Sequence, residues 1–156
     1  MELNEIQISR YNPRLDREGL LELVKDFEYR VGEERLDLEK FSVELDKRSL
    51  DLKLRNSMIL GKIDNRIIGA GFFSLWTDYL GFGHCYVHHV ITRKEDAYKK
   101  GIEEKIMREL FNYLKMTMKI EKVNLFAKKQ GDSNLQSIFM KMGIKKNDVD
   151  MYEYTL

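Results

Sequence analysis

Cys85-Tyr86-Val87-His88-His89-Val90-Ile91-Thr92 runs into Arg93-Lys94-Glu95-Asp96-Ala97-Tyr98-Lys99-Lys100-Gly101, and then into Ile102-Glu103-Glu104-Lys105-Ile106-Met107-Arg108-Glu109-Leu110. The first part is apolar and rich in β-branched and aromatic residues, as a buried strand requires. The second is charged and ends in glycine. The third repeats its apolar residues at helical spacing, with Ile102, Ile106 and Leu110 four apart. A strand, a basic glycine-bearing turn and a helix start present unpaired amides and a positive dipole end, the arrangement that holds a phosphate.

Working outward, Ile6-Gln7-Ile8 alternates as a short strand. Asp16 is suited to cap a helix carrying Leu20, Leu21, Leu23, Val24 and Phe27, and a second, acidic helix is expected over residues 36–54. Residues 57–63 and 66–76 read as two strands joined at Asp64-Asn65, a hairpin turn pair. Tyr79-Leu80-Gly81-Phe82-Gly83 then turns the chain into the Cys85 strand. Beyond the long helix, which should run to about Met118, Val123-Asn124-Leu125-Phe126-Ala127 is a further strand. Asp132 and Asn134 favour a helix start, Leu135, Ile138, Phe139 and Met142 form its apolar stripe, and Gly143 closes it. Met151-Tyr152-Glu153-Tyr154-Thr155-Leu156 alternates as a closing strand. The order is β-α-α-β-β-β-α-β-α-β, an α+β chain whose sheet is mixed but mostly antiparallel.

The 156 residues fit a single domain spanning 1–156, with 43% hydrophobic and 34% charged residues. No apolar run reaches the roughly 18 residues of a membrane span, and no signal peptide is read at the N-terminus. The one cysteine, Cys85, has no internal disulfide partner, and a cytoplasmic location is expected. The net charge of +1 conceals a polarity. Residues 93–146 hold 14 Lys and Arg against 7 Asp and Glu, residues 1–92 hold 13 against 16, and the last ten hold 0 against 3. The positive half carries the phosphate turn. Its charges alternate with acids and match no nucleic-acid motif, so no nucleic-acid partner is expected. The three histidines have no carboxylate or cysteine at ligand spacing, so no metal is expected either.

This order resembles that of the GNAT superfamily of acyl-CoA-dependent N-acetyltransferases, over essentially the whole chain. The family's Gln/Arg-x-x-Gly-x-Gly/Ala turn corresponds to Tyr98-Lys99-Lys100-Gly101-Ile102-Glu103, and its Asn…Tyr-x-x-x-Gly-Phe segment to Asn134 through Phe139, Gly143 and Ile144. The resemblance implies a GNAT-type sheet with helices on both faces and acetyl-CoA as cosubstrate. Its pyrophosphate would lie on Tyr98, Lys99, Lys100, Gly101, Ile102 and Glu103, and its pantetheine arm along the backbone of Val90, Ile91 and Thr92. It also implies direct transfer of the acetyl group to a primary amine, on a small molecule or a peptide, in a ternary complex. Some members place a histidine base about twelve residues before the signature glycine, and His89 stands at that spacing from Gly101. Its ordinary pKa near 6.5 suits a base at neutrality, although a structural or surface histidine fits the same position. His88 points to the other face.

Three positions depart from the family pattern: Tyr98 replaces Gln or Arg, Glu103 replaces a small residue, and Phe139 replaces the tyrosine that commonly protonates the leaving thiolate. Tyr152 or Tyr154 would be the substitute acid, or packing residues. The departures keep open an alternative, a catalytically inactive module that binds acyl-CoA or a partner protein. Trp76, Tyr79, Phe82 and Tyr86 are candidates for an acceptor pocket or a homodimer face, with core packing the simpler account. Glu33, Glu34, Asp37 and Glu39 would attract a cationic amine or form a solvated face.

Overall fold

The structure, a computed structural model, describes residues 5–25, 30–31, 34–87, 90–93, 101–125, 133–150 and 152–156. The chain falls into two compact units, Met1–Phe126 and Ala127–Leu156. In the first, the elements are β1 (Gln7–Arg10), α1 (Pro13–Lys25), β2 (Arg30–Val31), β3 (Glu34–Arg35), α2 (Leu38–Leu50), β4 (Ile59–Ile63), β5 (Arg66–Gly71), β6 (Phe73–Thr77), β7 (Gly83–Val87), β8 (Ile91–Thr92), α3 (Ile102–Met116) and β9 (Asn124–Leu125). The second holds α4 (Ser133–Lys141).

Three sheets form: a four-stranded one in the order β1-β4-β5-β8, a three-stranded one in the order β6-β7-β9, and the small β2-β3 pair. All pairings are antiparallel except β7 with β9, which is parallel. Two strands expected to be continuous are therefore each divided. Residues 66–76 break at Phe72 into β5 and β6, and the Cys85 strand breaks after Val87. Ala70 pairs with Ile91 and Phe73 with Val87, so the register between the two strands steps by one residue across the break. The strict alternation expected from Cys85 to Thr92 fails among the described residues: Val90, Ile91 and Thr92 are all buried.

Helices cover both faces of the four-stranded sheet. On one face, Leu20, Leu23 and Val24 of α1 and Leu45 of α2 form a core with Met58, Leu60, Ile67, Ala70, Phe72 and Ile91. On the other, α3 lays Ile102, Ile106 and Leu110 over β4 and β5. That approach depends on glycine: a Cβ at Gly71 would stand 2.6 Å from Ile106 Cγ2, and one at Gly69 would stand 2.8 Å from Ile106 Cδ1.

Several local expectations are met. Asp64 and Asn65 both take positive φ, 51° and 64°, as a tight primed hairpin turn demands. Gly143 is left-handed with φ 75°, and the Ile144 N–H reaches back to the Phe139 carbonyl at 2.8 Å, closing α4.

Others are corrected. Asp16 does not cap α1; the helix begins at Pro13, with Asn12 Oδ1 accepting from the Arg14 N–H at 3.0 Å. Asp16 instead lies buried in the first turn, accepting from the Asn12 N–H at 2.8 Å and from Lys62 Nζ on β4 at 2.7 Å. The second helix is shorter than expected, capped by Asp37, whose carboxylate accepts from the Lys40 N–H at 3.1 Å. Residues 152–156 form no strand, and Tyr152 and Tyr154 are exposed. Alternation supplies an amphipathic ribbon but not the neighbouring strand it needs, and the described residues of its own unit offer only a helix.

Candidate functional site

The site assembles where β8 ends its sheet and α3 begins. β8 pairs with β5 through Gly69↔Thr92 and Ala70↔Ile91, and among the described residues its other edge has no strand. Two residue pairs earlier, β7 has β9 on that side, with Tyr86↔Asn124 and Val87↔Leu125. The two halves of the strand thus belong to different sheets.

The start of α3 is held beside this edge. A Cβ at Gly69 would stand 3.0 Å from Ile102 Cγ2 and 3.4 Å from the Ile91 carbonyl oxygen, so the first helical turn and the β8 backbone meet at one glycine. Gly101 precedes the helix in the left-handed region, φ 67° and ψ 31°, with no side-chain cap. Among the described residues nothing lies within 4 Å of where its Cβ would be. The Lys105 N–H makes the first helical bond, to the Gly101 carbonyl at 3.0 Å, so α3 starts directly after the left-handed glycine. Ile102 is fully buried, while Glu103 and Glu104 are half-buried. Glu104 bonds Arg108 Nε at 3.2 Å. Ile91 and Thr92 form β8, and Val90, also buried, directly precedes it. Arg93 turns back, with Nε 3.3 Å from the Ile67 carbonyl. His88, His89, Lys94, Tyr98, Lys99 and Lys100 lie outside the described residues.

Cys85 is buried, and desolvation pushes its thiol up to about 11. It is a small core residue with negligible thiolate at neutral pH. On the opposite side of β7, His84 stacks on Trp76 with centroids 4.2 Å apart, and Tyr86 lies parallel to Trp76 at 6.2 Å. His84 Nε2 is 2.8 Å from Asp78 Oδ2, and Asp78 Oδ1 accepts from the Leu80 and Phe82 N–H groups at 2.9 Å each. The His84 bond first, then these backbone bonds, hold the Asp78 carboxyl below its ordinary value. Trp76, Tyr79 and Phe82 are exposed, so core packing does not account for them. Of the acidic group, Asp37 is occupied as a helix cap and Glu39 is exposed; Glu33 and the Glu34 side chain lie outside the described residues.

Sequence reasoning missed Arg48. From the last turn of α2 its guanidinium donates to the Phe73 carbonyl at 2.6 Å and to Ser74 Oγ at 3.1 Å, at the β5–β6 break. Burial lowers its pKa. A late basic residue on a helix is ordinarily a dipole partner, and only the strand break reveals this one as a clamp. Gly61, Gly69 and Gly71 were legible in principle, as a small-residue track facing an isoleucine pair four residues apart.

No family model matches the chain, and no curated protein sequence matches it. Solved structures do. An aminoglycoside N-acetyltransferase in complex with CoA superposes with a TM-score of 0.74 at 9% identity, covering 99% of this chain and 97% of that one. A ribosomal-protein-alanine N-acetyltransferase from Brucella melitensis biovar Abortus 2308 gives 0.68 at 14% identity, covering 97% and 100%. Glucosamine-6-phosphate N-acetyltransferase from Arabidopsis thaliana gives 0.65 at 15%, covering 96% and 98%. The chain has the GNAT fold, a mixed, mostly antiparallel α+β architecture. The three neighbours carry different names for their acceptors, and at these identities the likeness is one of fold.

Proposed function

We propose that this chain is an N-acetyltransferase that moves an acetyl group from acetyl-CoA to a primary amine, with residues 1–156 acting as one GNAT domain. The observation that carries the reading is a β8 edge with no strand against it among the described residues, beside a helix start entered through a left-handed glycine. The residues present fit the cosubstrate. By the resemblance, the turn and helix start formed by Tyr98, Lys99, Lys100, Gly101, Ile102 and Glu103 would hold the pyrophosphate, where the positive end of the α3 dipole favours an anion. The backbone of Val90, Ile91 and Thr92 would take the pantetheine arm as an added strand. Acetyl-CoA supplies an activated acyl group; the protein orients it and accepts the proton of the attacking amine.

His89 is assigned as that base by the resemblance, from its spacing of twelve positions before Gly101. The acceptor is a small-molecule or peptide amine. A cytoplasmic setting accords with the single buried cysteine, and no described helix is long and apolar enough to cross a membrane.

Thermal stabilisation tests the reading. Acetyl-CoA should raise the melting temperature where ATP does not, as expected when a ligand binds only the folded state. No shift would remove the proposal. If acetyl-CoA binds, thiol release across an amine panel separates a transferase from a non-catalytic acyl-CoA module.

A further inference from the structure

The β6 strand, Phe73-Ser74-Leu75-Trp76-Thr77, pairs with β7 on one side only; among the described residues no strand lies against its outer edge. The hydrogen-bond phase shows which groups face outward. Asp78 N–H bonds the Phe82 carbonyl at 2.9 Å, so in steps of two the Trp76↔His84 and Ser74↔Tyr86 pairs are the ones bonded inward. Phe73, Leu75 and Thr77 then direct their N–H and C=O outward, and the Arg48 bond to the Phe73 carbonyl confirms that phase. The five strand residues carry no charge and no proline, the devices that ordinarily blunt a free edge.

Large apolar side chains stand exposed at both ends of this edge. At the hairpin tip are Tyr79, Leu80 and Phe82, 96%, 66% and 65% exposed; at the other end, two and four residues beyond Arg48, are Leu50 and Leu52, 86% and 77% exposed. We propose that β6 is the centre of a two-fold interface with a second copy of this chain, pairing antiparallel about Leu75. A two-fold at Leu75 sets Leu75 opposite its own copy and Thr77 opposite the copy's Phe73. Each hairpin tip is then carried toward the α2 end of the other subunit, so the two apolar ends cover each other reciprocally. Arg48 occupies one lone pair of the Phe73 oxygen and leaves the other for the added strand. Together with Leu75 these side chains expose on the order of 800 Å² at ~150–250 Å² for a large side chain in full, which matches the ~800 Å² per partner of a standard interface. The inference does not depend on the acyl-transfer reading.

Sedimentation across a wide range of concentration tests it on the full chain. The wild type should show twice the 18.6 kDa chain mass. Leu75→Lys and Leu80→Lys should each halve that mass while keeping the circular dichroism of the folded chain. Leu75→Cys, oxidised with glutathione disulfide, should form a covalent dimer, because the Cα separation of ~5.5 Å in a bonded pair suits a disulfide. Glu44→Cys, on the exposed face of α2, should not, and the native Cys85 is buried. A wild-type monomer at every concentration, open-ended aggregates, or a dimer indifferent to both lysine variants would overturn the proposal.

Discussion

Gly71 on β5 and Ile106 on α3 are in contact that only the absence of a side chain permits: a Cβ on the glycine would meet Ile106 Cγ2 at 2.6 Å, well inside contact distance. Gly71→Ala should therefore force α3 off the sheet and cost about 1–3 kcal/mol in denaturant unfolding, the usual range for overpacking. Adding Ile106→Val, which removes a methyl from the crowded side chain, should restore part of the loss. Additive effects in the double variant would show that the contact is not the cause.

Asp16, buried, and Lys62, part-exposed, join α1 to β4 through an ion pair of 2.7 Å. Removing Asp16 leaves the Lys62 ammonium without its carboxylate and the Asn12 N–H without its acceptor, so Asp16→Ala should destabilise by about 1–3 kcal/mol. The double change Asp16→Leu with Lys62→Met should cost far less than either single one, since no lone charge remains. Chemical denaturation of the three variants checks this.

Arg48 fixes the point where β5 gives way to β6. Arg48→Lys keeps a charge but cannot reach the Phe73 carbonyl and Ser74 Oγ together, and a loss of about 1.5–3 kcal/mol is expected for hydrogen bonds made by a charged group. Hydrogen exchange should localise the change to residues 73–77 rather than to β1 or β4.

The raised Cys85 thiol carries a pH signature. Its folded value of about 11 lies above the ordinary 9.0, so the folded state favours the neutral thiol. That preference is fully present below pH ~9 and is lost as pH rises toward ~11. Alkylation at neutral pH should proceed only as fast as the protein opens, and Cys85→Ser should remove the corresponding part of the alkaline loss of stability. Rapid alkylation of the folded protein at pH 7 would contradict the burial argument.

Glu103 places a carboxylate in the turn assigned to the pyrophosphate. Glu103→Gln should tighten acyl-CoA binding several-fold by calorimetry, with the gain shrinking as salt is added. Gly101→Val should weaken it and also cost about 1–2 kcal/mol of stability, since a β-branched residue resists the left-handed backbone. Unchanged affinity in Glu103→Gln would refute the repulsion.

Local chemistry was legible in the sequence wherever one residue type has one conformational use. The Asp64-Asn65 turn, the Gly143 cap and the apolar stripe of α3 follow from short-range rules. The break at Phe72 was not legible, because it falls inside an unbroken apolar run and arises only from a one-residue mismatch with the partner strand. Asp16 misled for a related reason: its side chain suits a helix cap, but a lysine 46 positions away sets its use. The closing alternation at 151–156 likewise specifies a surface and not a neighbour. Near the site, Ile91 and Thr92 are strand and Ile102 and Glu103 open a helix, as the strand-turn-helix reading expects. His89 lies outside the described residues.

The glycine track under Ile106 also bears on how a ligand at Gly101 would act. α3 is wedged into the sheet at both its first and second turns, Ile102 against Gly69 and Ile106 against Gly71, so its start is aimed before anything binds. A ligand there would meet a fixed abutment, and its affinity would not be spent on ordering the helix. Loosening that wedge, as Gly71→Ala does, should therefore slow productive capture at a point the substitution never touches.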